Sequence, residues 1–296
     1  MKILVTGKNG QLGQSIKRLL DEKCFANLSS FSFIFTGREE LNLENLESIQ
    51  SYFVRNDIDI IINCAAYTKV DQAEEDQNQA NLINHNAVRE LAKISKKNKI
   101  KLIHMSTDFV FNGQKREPYT EDDKTSPINI YGETKLAGEL AIISTMPFNS
   151  IIIRTGWVYS EFGNNFVKTM LRLGKERDEL SIVADQIGTP THAADLARTI
   201  LDILPKITNE VVEIFHYSNE GVCSWYDFAK AIFDLSCISI ELHPIATSQY
   251  PTVAKRPFYS VLNKEKIKDK YAVEIPQWNA SLKDCLHILR KGENIF

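Results

Sequence analysis

Tyr131 and Lys135 are four residues apart in the sequence YGETK, a spacing that would place both side chains on one face of a helix. A phenol with its ordinary pKa near 10 is a reluctant proton donor at neutral pH. An ammonium group on the same face favours the phenolate and is expected to lower the pKa of the tyrosine toward the working range. The pair therefore predicts proton transfer with a substrate oxygen atom.

A second pair with the same spacing, Tyr226 and Lys230, shows that spacing alone decides nothing. With 10 tyrosines in the chain, about one such pair is expected by chance. Tyr226 belongs to WYDFAKAIF, whose apolar residues are typical of the packed face of a helix. Tyr131 instead follows Thr107, which lies in STDF at the predicted end of a strand, where open α/β sheets place reacting groups. We therefore assign Tyr131 to chemistry and Tyr226 to structure.

The sequence GKNGQLG follows the first predicted strand and carries three glycines with a spacing of three. Glycines at such a point allow a tight turn, close approach of the backbone to a pyrophosphate and close packing of the next helix. Because the helix N-terminus also supplies amide donors, we expect a dinucleotide cofactor here. The residues predicted to contact it are Gly7, Asn9, Gly10, Gln11, Leu12 and Gly13.

Two further features concern the cofactor. Arg38 ends the second predicted strand, where an NAD site usually carries an acidic residue for the ribose hydroxyls. A guanidinium group suits a 2′-phosphate, so we expect NADPH to be preferred, with NADH as the alternative. Ala65 and Ala66 follow the third predicted strand, and their small side chains would let a cofactor pass close to the backbone.

Alternating strands and helices must position these residues. Short β-branched runs predict strands at 3–6, 31–36, 58–62, 100–105 and 151–154. An apolar stripe after the first strand and the periodic residues of 81–97 predict helices between them. Buried strands joined by crossover helices are typical of an α/β fold with a doubly wound parallel sheet, that is, a Rossmann fold. The ligand crevice of such a sheet lies at the carboxyl ends of its strands.

The second half of the chain is less regular. Helical patterns cover 193–204 and 225–235, with proline-rich and aromatic loops between them. Because no flexible linker separates the halves, we expect a smaller α/β substrate lobe interwoven with the first domain. The predicted dinucleotide-binding domain comprises 1–155 and about 172–215, and the substrate lobe comprises about 156–171 and 216–296.

Composition narrows the classes of partner. The chain has 296 residues, of which 43% are hydrophobic and 25% charged, as in an ordinary folded protein. Its net charge of −3 gives no electrostatic reason to bind nucleic acid or an anionic membrane. No stretch is apolar for the roughly 18 residues that span a bilayer. A small-molecule partner is therefore expected.

Cysteine and histidine usage indicates the compartment and the metal chemistry. Five cysteines form no CxxC pair, which suggests reduced thiols in a cytoplasmic protein. The apolar run that opens the chain is too short for a secretory signal, and we expect the chain to be complete from Met1. The six histidines are scattered, with no spacing that predicts a zinc site, so no metal ligands are assigned.

The motifs together resemble the extended short-chain dehydrogenase/reductase superfamily and, within it, the dTDP-4-dehydrorhamnose reductase family. The resemblance covers nearly the whole chain and lies in GKNGQLG, NCAAYTKVDQAE, STDFVFNG, SPINIYGETKLAGE, RTGWVYS, GNNFVKTML, DQIGTPT and PTVAKRP. The glycine and YxxxK motifs belong to the broad superfamily. AAYTKVDQAE, WVYS with NNF, and DQIGTPT are more specific to the reductases.

This resemblance implies NAD(P)H-dependent reduction of the C4 ketone of dTDP-4-dehydro-L-rhamnose, in dTDP-L-rhamnose biosynthesis. Tyr131 would protonate the ketone oxygen, Thr107 would hydrogen-bond it, and Lys135 would hold the cofactor ribose and tune the tyrosine, so that Tyr131 and Lys135 also contact the cofactor. Arg256 would meet the diphosphate of the sugar nucleotide. The residues expected to contact the substrate are Thr107, Asp108, Trp157, Asn165, Phe166 and Arg256.

The sequence also departs from the family pattern. Phe109 stands where STDY would carry tyrosine, Gly156 stands where RTSW would carry serine, and Phe258 and Tyr259 replace a small residue and asparagine. Some family members dimerise around a divalent cation held by acidic side chains. Ser15 stands where an acid could have helped, so a homodimer is possible but a metal is not expected.

The sequence leaves three alternatives. A nucleotide-sugar dehydratase of this fold usually has a glutamate after the Thr-Asp pair, and Phe109 at that position argues against one. A reductase of another dTDP-4-keto-6-deoxy sugar is a closer rival, because one changed pocket contact can redirect specificity. A non-catalytic regulatory subunit of the same fold is the third, against which the intact Thr107, Tyr131 and Lys135 argue.

Overall fold

A computed structural model of the chain describes residues 1–23 and 25–293. Its strands are β1 (Lys2–Thr6), β2 (Ser32–Thr36), β3 (Ile60–Asn63), β4 (Lys101–Thr107), β5 (Ile151–Thr155), β6 (Val158–Tyr159), β7 (Glu179–Val183), β8 (Ile187–Gly188), β9 (Thr191–His192), β10 (Glu213–His216), β11 (Cys223–Ser224) and β12 (Glu241–Ile245). Its helices are α1 (Gln11–Asp21), α2 (Leu46–Arg55), α3 (Val70–Glu75), α4 (Gln77–Asn81), α5 (Ala87–Asn98), α6 (Ile130–Thr145), α7 (Phe166–Glu176), α8 (Ala193–Ile203), α9 (Trp225–Ser236), α10 (Glu265–Tyr271) and α11 (Trp278–Glu293).

In the described part of the chain, six parallel strands form the central sheet in the order β10-β5-β4-β3-β1-β2. Strand β2 lies on one side of β1, whereas β3 and the strands that follow it lie on the other side. This reversal creates a crevice at the carboxyl ends of β1 and β3, the position at which α/β sheets bind ligands. The predicted doubly wound sheet is confirmed, with β10 as a strand that the sequence pattern did not reveal.

Helices cover both faces of the sheet because successive residues of each strand point to opposite sides. Ile3 and Val5 of β1 pack with α1 and α8 in one core, whereas Leu4 between them packs with α2 and α5 in the other. The isoleucines of β3 and β5 alternate in the same way. The continuous apolar strands thus have both faces buried, as their composition indicates.

A separate core holds the smaller lobe. It joins α7, α9 and α11 with the two-stranded pair β7 and β12. Leu180 of β7 contributes to this lobe, whereas Ile267 and Tyr271 of α10 pack into the core of the central sheet. The boundaries given for the two lobes stay a prediction.

The chain is helical throughout the predicted range 81–97, although one turn of it is not α-helical. A π-helical turn, Leu82–Asn86, joins α4 to α5. The turn lets the Asn84 side chain accept from the backbone nitrogen of Tyr67 at 2.9 Å and donate to its carbonyl at 3.1 Å. These bonds hold the loop after β3 against the helix. Ile83, in the same turn, lines a cleft at the carboxyl ends of the strands.

Within residues 1–23 and 25–293, no helix is both long and apolar enough to cross a membrane. The four described cysteines, Cys64, Cys223, Cys237 and Cys285, are free thiols. Cys24 lies outside the described residues.

Candidate active site

A cleft of about 740 Å³ runs along the carboxyl ends of the central strands and under the smaller lobe. It contains most of the residues that the sequence assigned to a site, namely Gly7, Asn9, Gly10, Gln11, Leu12, Arg38, Ala65, Ala66, Thr107, Asp108, Tyr131, Lys135, Trp157 and Asn165. Gly13, Phe166 and Arg256 do not line it. Residues separated by more than 150 positions in the sequence therefore share one groove.

The glycine turn forms one end of the cleft. Gly7 has a φ of +72°, and a β-carbon there would lie 2.9 Å from the backbone nitrogen of Ala65. A β-carbon on Gly13 would lie 2.4 Å from the carbonyl oxygen of Gly7, so Gly13 serves the packing of α1 on the turn. Both positions therefore require glycine.

The N-terminus of α1 is suited to an anion. Gly10 is its N-cap, and no side chain among the described residues caps the helix there. The first-turn amides thus keep their donors, and the helix dipole adds positive potential at the same point. With Ala65 and Ala66 opposite, the turn fits the pyrophosphate of a dinucleotide.

Tyr131 lies in the first turn of α6, beside Thr107 at the end of β4. The Asn129 side chain caps α6 by accepting from the backbone nitrogen of Gly132 at 2.8 Å, which fixes where the helix begins. Tyr131 and Thr107 both line the cleft, and the Phe109 ring packs edge-on against the Tyr131 ring with centroids 5.6 Å apart. Thr107 Oγ1 also lies 3.0 Å from Asp108 Oδ1. The phenol, the hydroxyl and the carboxylate therefore belong to residues of one cleft.

The expected lowering of the Tyr131 pKa by Lys135 is wrong for this structure. Burial raises the pKa of Tyr131 to about 12, the contact with Thr107 opposes the rise, and the Asp108 charge adds to it. The tyrosine is therefore a neutral phenol at physiological pH. It holds a proton that it can transfer.

Lys135 is buried, and its ammonium donates to the backbone oxygen of Met105 at 2.5 Å. Burial lowers the pKa of Lys135 to about 8, while the Glu139 carboxylate one turn further along α6 raises it. Glu139 is itself bonded by Arg154 at 2.7 and 3.0 Å and by the Ser106 hydroxyl. The sequence analysis did not identify this buried network. The signal was the spacing, because Tyr131, Lys135 and Glu139 are each four residues apart in α6.

Arg38 lies at the other side of the glycine turn, exposed over 68% of its side chain and paired with Glu44. Lys8 lies nearby, paired with Glu40, which also accepts from the backbone nitrogen of Gly37. Two cations therefore flank the mouth of the cleft where β2 ends. Arg38 was identified from its position, whereas Lys8 was not.

Trp157 and Phe166 belong to an aromatic cluster on the substrate side. The Trp157 ring stacks on that of Trp225 with centroids 3.5 Å apart, and its backbone has a φ of +51°. Phe166 packs against Trp225 and Phe228 in the core of the smaller lobe. Trp157 thus combines a cleft position with packing, whereas Phe166 packs behind it.

Arg256 lies outside the cleft in a bidentate pair with Asp71. Both nitrogen–oxygen distances are 2.5 Å, and Arg256 also donates to the Ala254 carbonyl at 2.7 Å. Arg256 lowers the pKa of the Asp71 carboxyl through these bonds. Asp71 comes from the KVDQAE stretch, which the sequence singled out as a motif without assigning it a role.

Potential metal ligands come together at two places that residue spacing did not indicate. Glu161, His192 and Cys285 form one group inside the protein, and Glu179, Glu241 and His243 form the other at the surface. Arg18 pairs with Glu161 and balances its charge without an ion. The expectation that the chain needs no metal stays a prediction.

A Rossmann sheet with an uncapped glycine turn, and with a YxxxK helix opposite a threonine, defines a member of the short-chain dehydrogenase/reductase superfamily. The comparisons identify the branch. A family model described as "RmlD substrate binding domain" matches residues 1–291. A dTDP-4-dehydrorhamnose reductase from Aggregatibacter actinomycetemcomitans is 40% identical, with 96% of this chain and 97% of the relative aligned.

Solved structures agree with this placement. A dTDP-4-dehydrorhamnose reductase from Clostridium acetobutylicum superposes with a TM-score of 0.90 at 39% identity, covering 98% of this chain and 100% of that one. The enzyme of the same name from Bacillus anthracis, solved in complex with NADP, gives a TM-score of 0.89 at 38% identity, covering 97% and 99%. The chain belongs to the RmlD family of dTDP-4-dehydrorhamnose reductases.

Proposed function

We propose that this chain reduces the C4 ketone of dTDP-4-dehydro-L-rhamnose to give dTDP-L-rhamnose, with NADPH as the preferred reductant and NADH as the alternative. The observation that carries the proposal is that Thr107, Tyr131 and Lys135 line one cleft whose other end is the glycine turn. Family membership supports the identity of the substrate, because relatives that align over nearly their whole length carry this name.

Each residue has a role in this reaction. The bound nicotinamide supplies hydride to the ketone carbon. Tyr131 donates its hydroxyl proton to the ketone oxygen as negative charge develops there. Thr107 hydrogen-bonds the same oxygen and holds the phenol in line. Lys135 binds the cofactor ribose hydroxyls with its ammonium.

The cofactor fits the glycine end of the cleft. The free amides of α1 bind its pyrophosphate, and the exposed Arg38 with Lys8 near it offers cations for a 2′-phosphate. The complex of the Bacillus anthracis relative with NADP supports this choice. The sugar nucleotide then occupies the part of the cleft near Trp157 and Asn165.

The test is turnover with a defined substrate. Purified chain is mixed with dTDP-4-dehydro-L-rhamnose and NADPH or NADH, and cofactor absorbance and product stereochemistry are followed. Oxidation of NADPH with formation of dTDP-L-rhamnose is the expected result. Oxidation only with another dTDP-4-keto-6-deoxy sugar would reassign the substrate. Binding of NADPH without oxidation by any dTDP-4-keto-hexose would favour a regulatory subunit.

Two expectations about context stay predictions. The free thiols suit a cytoplasmic location. Some members of the resembled family form homodimers, and size-exclusion chromatography with light scattering measures directly whether this chain does.

A further inference from the structure

The side chain of Gln11 bonds to a segment from the opposite half of the chain. Its Oε1 accepts from Ser160 Oγ at 3.0 Å and from Asn165 Nδ2 at 2.9 Å. Its Nε2 donates to the Val158 carbonyl at 3.2 Å. Gln11 is also the first residue of α1, in the turn that fits the cofactor pyrophosphate. One residue thus contributes its backbone to the cofactor end and its side chain to the 158–165 segment.

The 158–165 segment is folded around this side chain. Ser160 is fully buried, and its hydroxyl and Asn165 make further bonds to the Phe162 backbone. Gly163 has a φ of +61°, and a β-carbon there would lie 3.5 Å from Gln11 Cγ. Asn165 in turn caps α7 by accepting from the Lys168 backbone nitrogen. The segment lines the substrate side of the cleft.

A second residue of α1 reinforces the link. Arg18, seven residues after Gln11 and so on the same face of the helix, pairs with Glu161 in the middle of the segment. The Glu161 side chain is 7% exposed. The helix whose N-terminus fits the cofactor therefore holds the substrate-side segment at two points.

We infer that Gln11 is a positioning residue that couples the binding of the dinucleotide to the binding of the nucleoside diphosphate sugar. The inference rests on the proposed function. An anion on the first-turn amides of α1 restrains the position of Gln11, and the three hydrogen bonds of its side chain transmit that restraint to the segment on the substrate side of the cleft. Because coupling between two binding sites is reciprocal, each ligand tightens the other.

The coupling is measured as the ratio of NADPH dissociation constants without and with saturating dTDP. Wild-type protein is expected to bind NADPH about 5-fold or more tightly when dTDP is present. In Gln11→Leu the ratio falls to about 1, and the KM for the sugar nucleotide rises about 10-fold. Affinity for NADPH alone changes by less than about 3-fold in this variant, because the backbone amides remain.

Gln14→Leu is the matched control, since Gln14 lies on the same helix and its side chain donates to the Asn9 carbonyl and not to the 158–165 segment. This variant keeps the wild-type ratio. Ser160→Ala removes one of the three bonds without touching the cofactor turn and lowers the ratio in the same direction as Gln11→Leu. Should Gln11→Leu fail to fold, as judged by its thermal unfolding midpoint, Ser160→Ala decides the matter.

A wild-type ratio of 1, an unchanged ratio in Gln11→Leu, or an equal loss in Gln14→Leu would each overturn the inference. The titrations with dTDP need no turnover, so they are independent of the test of the reaction. A chain that oxidises NADPH with the keto-sugar but shows no coupling leaves the proposed function standing. A chain that shows coupling but no oxidation overturns the proposed function alone.

Discussion

The carboxylate of Asp108 lies against the α-carbon of Gly156, so closely that a β-carbon on Gly156 would come within 2.5 Å of Asp108 Oδ2. Residue 156 departs from the serine that the family resemblance led us to expect. Its missing side chain makes room for a carboxylate that is 2% exposed. Burial raises the pKa of Asp108 to about 6, while hydroxyls of Ser260 and Thr107 oppose the rise.

Asp108→Asn is expected to stabilise the protein in a pH-dependent way. The pKa of Asp108 rises from 3.8, its ordinary value, to about 6 on folding, so the folded state binds this proton more tightly. Stability therefore falls as pH rises from about 4 to 6, by up to about 3 kcal/mol. Urea unfolding should show the variant more stable than wild type at pH 8, with most of that advantage gone at pH 4.

Asp123→Asn provides the opposite case. A hydrogen bond from Lys115 lowers the pKa of Asp123, so its charge stabilises the folded state above its unfolded pKa. Removing this charge should lower the free energy of unfolding at pH 8 and change it little at pH 3.

An Asp108→Asn variant that is less stable than wild type at pH 8 would contradict the assignment of a buried, destabilising charge to Asp108.

Tyr131→Phe is expected to lower kcat by about 100-fold or more, because it removes the proton donor and keeps the ring. NADPH affinity should change little. Tyr226→Phe is the matched control, since it alters the other tyrosine with YxxxK spacing, which lies in α9 and does not line the cleft. Steady-state kinetics with both variants separates the two pairs. Turnover near that of wild type in Tyr131→Phe would remove this residue from the mechanism.

The rate should fall at alkaline pH. Burial lowers the pKa of Lys135 to about 8, so the free enzyme loses this cation as pH rises through about 8. The kcat/KM for NADPH reports on the free enzyme and should decline above that pH. Lys135→Arg, which keeps its charge, should be less active at neutral pH but lack the alkaline decline. A wild-type profile that is flat to about pH 10 would show that Lys135 stays charged or is not needed.

Much of the fold follows from local pattern. The strands beside the glycine turn and the strand that ends at Thr107 can be recognised in the sequence because strands buried on both faces are near-continuous apolar runs. The π-helical turn at Leu82–Asn86 was not predictable, because it accompanies the bonds of Asn84 to the Tyr67 backbone, 17 residues away in the sequence. Strand β10 has only four residues at the sheet edge and carries too short an apolar run to identify.

The site was predictable as a set of residues but not as an electrostatic environment. Helical spacing placed Tyr131 and Lys135 on one face, and that placement carries no information about burial. The direction of the Tyr131 pKa shift depends on the packing of the Phe109 ring and on the nearby Asp108 charge. Both are tertiary features. The links of Gln11 to Ser160 likewise span 149 residues and have no local signal.

Arg38→Ala tests the preference between cofactors. The guanidinium is exposed at the mouth of the cleft and suits a 2′-phosphate, so its removal should raise the KM for NADPH about 10-fold. The KM for NADH should stay within about 2-fold, because NADH lacks that phosphate. Arg55→Ala, at the end of α2 and away from the cleft, should change neither value. An equal loss for both cofactors would place Arg38 in a structural role.

Arg256 and Asp71 should act as one unit in substrate binding. If Arg256 meets the diphosphate, its pair with Asp71 orients the guanidinium, and Arg256→Met should raise the KM for the sugar nucleotide about 10-fold or more with a smaller effect on kcat. Asp71→Asn keeps the guanidinium but weakens the hydrogen bonds that orient it, so we expect the KM for the sugar nucleotide to rise about 3-fold. In the double variant, Asp71→Asn should add nothing to Arg256→Met, because its effect acts through the arginine. Additive effects, or a KM that Arg256→Met leaves unchanged, would show that the pair only fastens the 254–256 segment to α3.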